Sequence, residues 1–194
     1  MIKTLIGISF FYLTICSSFI SCAQSENADN QMEYYFAVSV GPFNVMNDNA
    51  TAGYLSGLSL NLAGNKFSYS IGYERFQEFS ILSFRPRPRE YYNSINLIIG
   101  RCIAEKRGKP YEAQVELLGG LSSFWGIRRT DSASSLPFSD YNTKNFSAIG
   151  LTGGFGFKII FNDHLGMGGN IRAHLNKELV LLMAGISLNL GKTR

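Results

Sequence analysis

From residue 34 to the C-terminus, short stretches in which every second residue is apolar are separated by connections that alternate between long and very short. Successive side chains of a β-strand point to opposite faces, so such a stretch has one apolar and one polar face. In Phe67-Ser68-Tyr69-Ser70-Ile71-Gly72-Tyr73-Glu74 the rings and Ile71 share one face, while Ser68, Ser70, Gly72 and Glu74 share the other. Serine, glycine and carboxylate at that spacing suit a narrow polar lumen, which leaves the apolar face for lipid.

The N-terminus points to export. Lys3 precedes an uncharged, largely apolar run from Thr4 to Ile20, and Ser21-Cys22-Ala23 supplies the small residues of a cleavage site before Gln24. The rival site is a lipoprotein box ending at Cys22, whose acylation would anchor the N-terminus to a membrane leaflet. Cleavage after Ala23 removes Cys16 and Cys22 and leaves Cys102 alone, so no intramolecular disulfide is expected. It also removes Lys3 and leaves 17 basic residues against 14 acidic ones. A net charge of +3 on a chain of 171 residues argues for one domain and against nucleic-acid binding. Beyond the export signal the longest apolar run, residues 179–188, is half of what a transmembrane helix needs. A membrane form must then be a closed barrel.

The expected organisation is a signal peptide over 1–23, a flexible periplasmic lead-in over 24–33, and a barrel over 34–194. The alternation predicts eight strands: 34–43, 52–62, 67–76, 91–103, 111–125, 146–161, 164–175 and 179–191. Eight is an even number, as single-chain bacterial barrels require. The longer connections fall after the first, third and fifth strands, at 44–51, 77–90 and 126–144. Short turns join the second to the third, the fourth to the fifth and the sixth to the seventh. Outer-membrane barrels keep long loops outside and short turns in the periplasm, so both termini are expected to be periplasmic. Aromatics gather at the strand ends and predict two girdles. One holds Tyr34, Phe67, Tyr111 and Phe161, and the other Phe43, Tyr54, Phe76, Tyr92, Trp125 and Phe146.

With its closing strand Ala184-Gly185-Ile186-Ser187-Leu188-Asn189-Leu190-Gly191, the chain resembles the small OmpA/OmpX-type outer-membrane β-barrels, including the short barrel proteins of Bacteroidetes-like Gram-negative bacteria. The resemblance implies an all-β, eight-stranded antiparallel up-and-down transmembrane barrel in the outer membrane of a Gram-negative bacterium. It implies as partners the membrane's lipids, lipopolysaccharide and the barrel-insertion machinery. Members commonly finish on an aromatic residue, whereas this chain finishes Lys192-Thr193-Arg194. The peptidoglycan-binding module of longer members is not expected.

The interior of an eight-stranded barrel is just filled by side chains. The polar faces predict a lumen network of Glu74, Glu112, Glu116, Lys158, Arg172 and His174, with the amides Asn61, Asn96, Gln114 and Asn170. Charges so buried must pair and hydrogen-bond, which favours a structural plug; a narrow ion path opened by exchange of pairs is the alternative. Of the two histidines, His164 and His174, the second faces inward near the outer rim, with Asn176 and Glu178 in the adjoining loop. A serine and an acid within its reach would indicate a lipid A-modifying enzyme; without them no catalysis is expected, and no cofactor or metal. Arg85-Pro86-Arg87-Pro88-Arg89 is an extended strip of three guanidiniums, a candidate anion-binding loop for lipopolysaccharide phosphates or acidic sugars. The reading is a monomeric, non-enzymatic outer-membrane barrel with a structural or surface-interaction role.

Overall fold

The structure, a computed structural model, describes residues 32–46, 51–64, 66–79, 90–106, 111–129 and 143–192. The predicted signal peptide, most of the lead-in, and Arg85, Arg87 and Arg89 lie outside them. The described chain is β1 (Glu33–Val45), β2 (Thr51–Ala63), β3 (Phe67–Glu78), β4 (Tyr91–Lys106), β5 (Glu112–Arg129), β6 (Thr143–Asn162), β7 (Leu165–Asn176) and β8 (Val180–Lys192). Each strand pairs antiparallel with its sequence neighbours, and β8 returns to β1, so the sheet closes as a barrel. Closure leaves no free edge.

Most strand ends fall within two residues of the predicted ones, but β5 and β6 extend together through Arg129 and from Thr143. The connection between them is therefore 130–142. In this extension Ile127 faces Asn145, Arg128 faces Lys144 and Arg129 faces Thr143. Two paired backbones satisfy each other's N–H and C=O groups without any apolar alternation, so sequence pattern ends before the ladder does. His164, predicted to open the seventh strand, lies in the turn before it, where its N–H donates to Asn162 Oδ1 at 2.9 Å.

The register fixes the tilt. The row of facing residues that starts at Tyr34 passes through Leu62, Tyr69, Ile99, Gly119, Gly153, Ala173 and Leu182. It returns to β1 at Asn44, ten residues from where it began. Over eight strands that stagger corresponds to strands inclined by about 40° to the barrel axis. A bulge between Cys102 and Ala104 shifts the β4–β5 pairing and sets Glu105 opposite Gln114, which donates to it at 3.2 Å. At the closing seam the β1–β8 pairing skips Gly41 and Pro42. Pro42 has no N–H to give, and a methyl group on Gly41 would lie 1.9 Å from the carbonyl oxygen of Ala184.

Among the described residues the outer wall is apolar and exposed. Phe36, Leu60, Ile71, Leu97, Leu121 and Leu151 face one another from strand to strand as a continuous row, and all are exposed. In water such a band would be an aggregation surface; in a bilayer it is what a spanning barrel presents. Ile71→Arg is therefore expected to lower the barrel's stability in vesicles by about 2–4 kcal/mol. Ser70→Asn, one residue along but directed into the polar lumen cavity, is expected to cost far less. Urea titration followed by the fluorescence of Trp125, the single tryptophan, measures both; equal losses would show that Ile71 does not face lipid.

Candidate functional site

Eight strands deliver their inward-facing residues into three layers stacked along the axis. Nearest the short turns is a polar vestibule. Lys158 on β6 is buried and reaches Glu33 at the start of β1, with 2.5 Å between Nζ and Oε2. The same ammonium lies 4.2 Å from the centre of the Tyr35 ring, a cation–π contact. Glu116 accepts a hydrogen bond from Ser68. Gly100 makes room for that pair, since a methyl group there would sit 2.3 Å from Ser68 Oγ and 2.9 Å from Glu116 Oε2. Glu112 is half-buried, two inward positions nearer the turns on the same strand. A cavity of about 110 Å³ runs through this layer and is lined by Asn61, Ser70, Glu116, Lys158 and Asn170 among others.

Above it, Glu74 of β3 and Arg172 of β7 form an ion pair across the lumen, each almost fully buried. Glu74 also accepts from Asn96 Nδ2 at 2.7 Å, and Arg172 Nε donates to Asn170 Oδ1 at 3.0 Å. These extra bonds matter, because a buried pair offsets its desolvation only when its remaining donors and acceptors are used. Five of the six predicted network residues therefore meet: Glu74, Glu116, Lys158 and Arg172 line one cavity, and His174 stands 4.0 Å from Glu74. Glu112 does not line the cavity, and Gln114 points to Glu105 at the mouth.

The second layer is an apolar stopper. Phe43, Phe76, Tyr92, Phe124, Phe146 and Leu181 are buried together with Met183 and Leu179. Their rings meet edge-on or tilted, with centroids 5.4 Å apart for Phe43 and Phe76 and 6.0 Å apart for Phe76 and Phe124. This corrects the girdle expected at the loop rim. Of its six members only Tyr54 and Trp125 face outward; Phe43, Phe76, Tyr92 and Phe146 point into the barrel. The reason is parity. Phe76 follows Glu74 by two, Tyr92 precedes Ser94 by two, and Phe146 is an even number of residues from Thr152, so each shares the lumen face. That signal was in the sequence, but position at a strand end is a weaker guide than alternation.

The third layer caps the stopper on the loop side. Glu90 accepts from Thr51 Oγ1 at 2.8 Å, from the hydroxyl of Tyr92 at 2.5 Å and from the Arg129 N–H at 2.8 Å. Arg129 also reaches Glu78 at 2.6 Å. Glu78 and Glu90 are the two ends of the connection that holds residues 80–89, so one guanidinium ties both roots of that loop to β5. No sequence pattern marked this clip, because its members are far apart in the chain and isolated in character.

His174 lies at the boundary of vestibule and stopper rather than at the outer rim. Asn176 does not approach it; its Oδ1 caps the β7–β8 turn by accepting from the N–H groups of Glu178 and Leu179, both at 2.9 Å. The imidazole is 3.4 Å from Ser122 Oγ through Nδ1, 3.2 Å from Met183 Sδ through Nε2, and 4.0 Å from Glu74 Oε2. A serine and an acid thus do stand near this histidine. Nucleophilic catalysis needs an approachable hydroxyl and a base oriented by its acid. Ser122 is 2% exposed and His174 is 0% exposed. Phe124 and Phe76 roof the imidazole with centroids at 5.1 and 6.3 Å, and Glu74 is already engaged by Arg172 and Asn96.

A closed eight-stranded antiparallel barrel with an apolar outer wall and a filled lumen is the build of the small outer-membrane barrels. The fold is similar to that of Neisserial surface protein A, with a TM-score of 0.55 at 9% identity over 83% of this chain and 99% of that one. It is equally similar to Ail, the attachment invasion locus protein of Yersinia pestis, with a TM-score of 0.55 at 10% identity over 82% of this chain and 98% of that one. No family model matches the chain, and no curated protein matches it. At such identities the likeness is one of fold.

Proposed function

We propose that this chain is a non-enzymatic outer-membrane barrel with a closed structural lumen, and that its loop end is the working surface. The apolar stopper carries this reading. It stands between the vestibule and the loop-side cap and puts buried rings where a diffusing ion would need water or a polar partner. The ion-path alternative lacks a continuous polar route through this layer, and the enzyme alternative lacks an approach to Ser122 and His174. Ail, a barrel of the same build, is named for attachment and invasion, which supports a surface role for the fold. Orientation follows the same logic: the longer connections face the cell exterior and both termini face the periplasm.

A barrel closed by backbone ladders on every side resists detergent until heated. Purified, membrane-extracted protein is expected to migrate differently in boiled and unboiled SDS samples. Identical migration would remove the membrane-barrel reading.

On the working surface, Arg85, Arg87 and Arg89 remain the candidate anion grip, in the connection whose two ends, Glu78 and Glu90, are held by Arg129. Changing all three to Gln is expected to weaken binding to lipopolysaccharide, as added salt should for the wild type. Each exposed contact contributes up to about 1 kcal/mol, so the triple change is the fair test. Unaltered affinity in the folded triple variant would leave the strip a solvated loop.

A further inference from the structure

The outer wall holds an open apolar groove of about 790 Å³ from β8 across β1 to β5, beside the short turns. Leu60, Leu62, Ile71, Leu97 and Ile99 form its sides, and Tyr34 and Tyr69 stand at its turn-side edge. The inward positions behind it, Ser59, Ser70 and Gly72, supply little volume. Two cations sit just past that edge. Arg101 is the next residue after Ile99 on the outward face of β4, is exposed, and is paired across the sheet with Phe67. Lys66 immediately precedes Phe67 and is also exposed, and its carbonyl accepts from the Cys102 N–H at 2.9 Å, which holds its backbone against β4 next to Arg101.

We propose that this groove is a binding site for an anionic glycerophospholipid of the leaflet on the turn side. Its acyl chains lie along Leu60, Ile71 and Leu97, and its phosphodiester faces Arg101 and Lys66. Hydrocarbon fills any apolar trough that opens on a bilayer; the cations add headgroup choice. A guanidinium offers two parallel donors to phosphate oxygens, and tyrosines at the edge suit the layer where chains give way to headgroups. The site rests on the membrane reading above.

Native mass spectrometry of the barrel in zwitterionic detergent, with phosphatidylglycerol or phosphatidylcholine of matched chains added, tests it. The wild type is expected to retain phosphatidylglycerol at least about fivefold better, and Arg101→Gln with Lys66→Gln should abolish that preference. Leu97→Trp, which fills the trough, should reduce retention of both lipids, while Lys144→Gln on the loop side should change neither. Equal retention of the two lipids by the wild type, or an intact preference in the double variant, would overturn the site. The heat shift in SDS separates the two readings. Its absence in the wild type sinks the membrane barrel, whereas a heat-shifted barrel without lipid preference sinks this inference alone.

Discussion

Glu74→Ala is expected to destabilise the folded barrel by about 3–5 kcal/mol, among the largest losses any single change should produce. Arg172 would then keep its charge in the middle of the lumen with no carboxylate opposite, and Asn96 Nδ2 would lose its 2.7 Å acceptor. Both side chains of the pair are 6% exposed, so Arg172 would be left with at most the few waters that the polar cavity of about 110 Å³ beside it can hold. The size of the loss reports an uncompensated charge, not the net worth of the pair. Glu74→Leu combined with Arg172→Met, which removes both charges and keeps the volume, should recover most of the stability. Urea titration in vesicles measures all three proteins, and a loss below about 1 kcal/mol for Glu74→Ala would mean that the lumen solvates Arg172 freely.

Truncating the stopper should be comparably severe. Phe124 is fully buried, with its ring 6.0 Å from Phe76 and 5.1 Å from His174, so Phe124→Ala leaves a cavity that rigid strands cannot collapse. The expected loss is about 3–5 kcal/mol. A second readout follows from the layer's position. In planar bilayers the wild type is expected to pass no current, and Phe76→Ala with Phe124→Ala is expected to pass small ions, because the vestibule would then meet the loop side through a hydrated gap. Steady conductance by the wild type would show that the stopper is not a seal and would restore the ion-path reading.

The number of strands, their antiparallel order and the lumen face were legible because each rests on a local repeat. Phe67 to Glu74 reads as strand with Glu74 inward whatever the rest of the chain does, since alternation at a period of two is set by the pleat. The same rule, applied strictly, placed Phe43, Phe76, Tyr92 and Phe146 inside; reading them as a girdle followed their place at strand ends instead. The ends themselves were less legible where β5 and β6 continue past Trp125 on backbone pairing alone. Bulges are likewise silent in the pattern, and the one between Cys102 and Ala104 decides that Glu105 meets Gln114.

Within each unbroken stretch of strand, sequence by itself determined which side chains enter the lumen. Only the closed sheet decided which of them meet, because a stagger of ten residues around eight strands sets each residue's height along the axis. Glu74 and Arg172 are 98 residues apart in the chain, and Lys158 and Glu33 are 125 apart. No local pattern encodes such partners. Height also sorts the inward residues into vestibule, stopper and cap, so that Ser122, His174 and Glu74 come together under rings that close them off. That burial turns a trio with catalytic residue types into part of a core, and it arises from register and closure, which belong to the whole barrel and to no single strand.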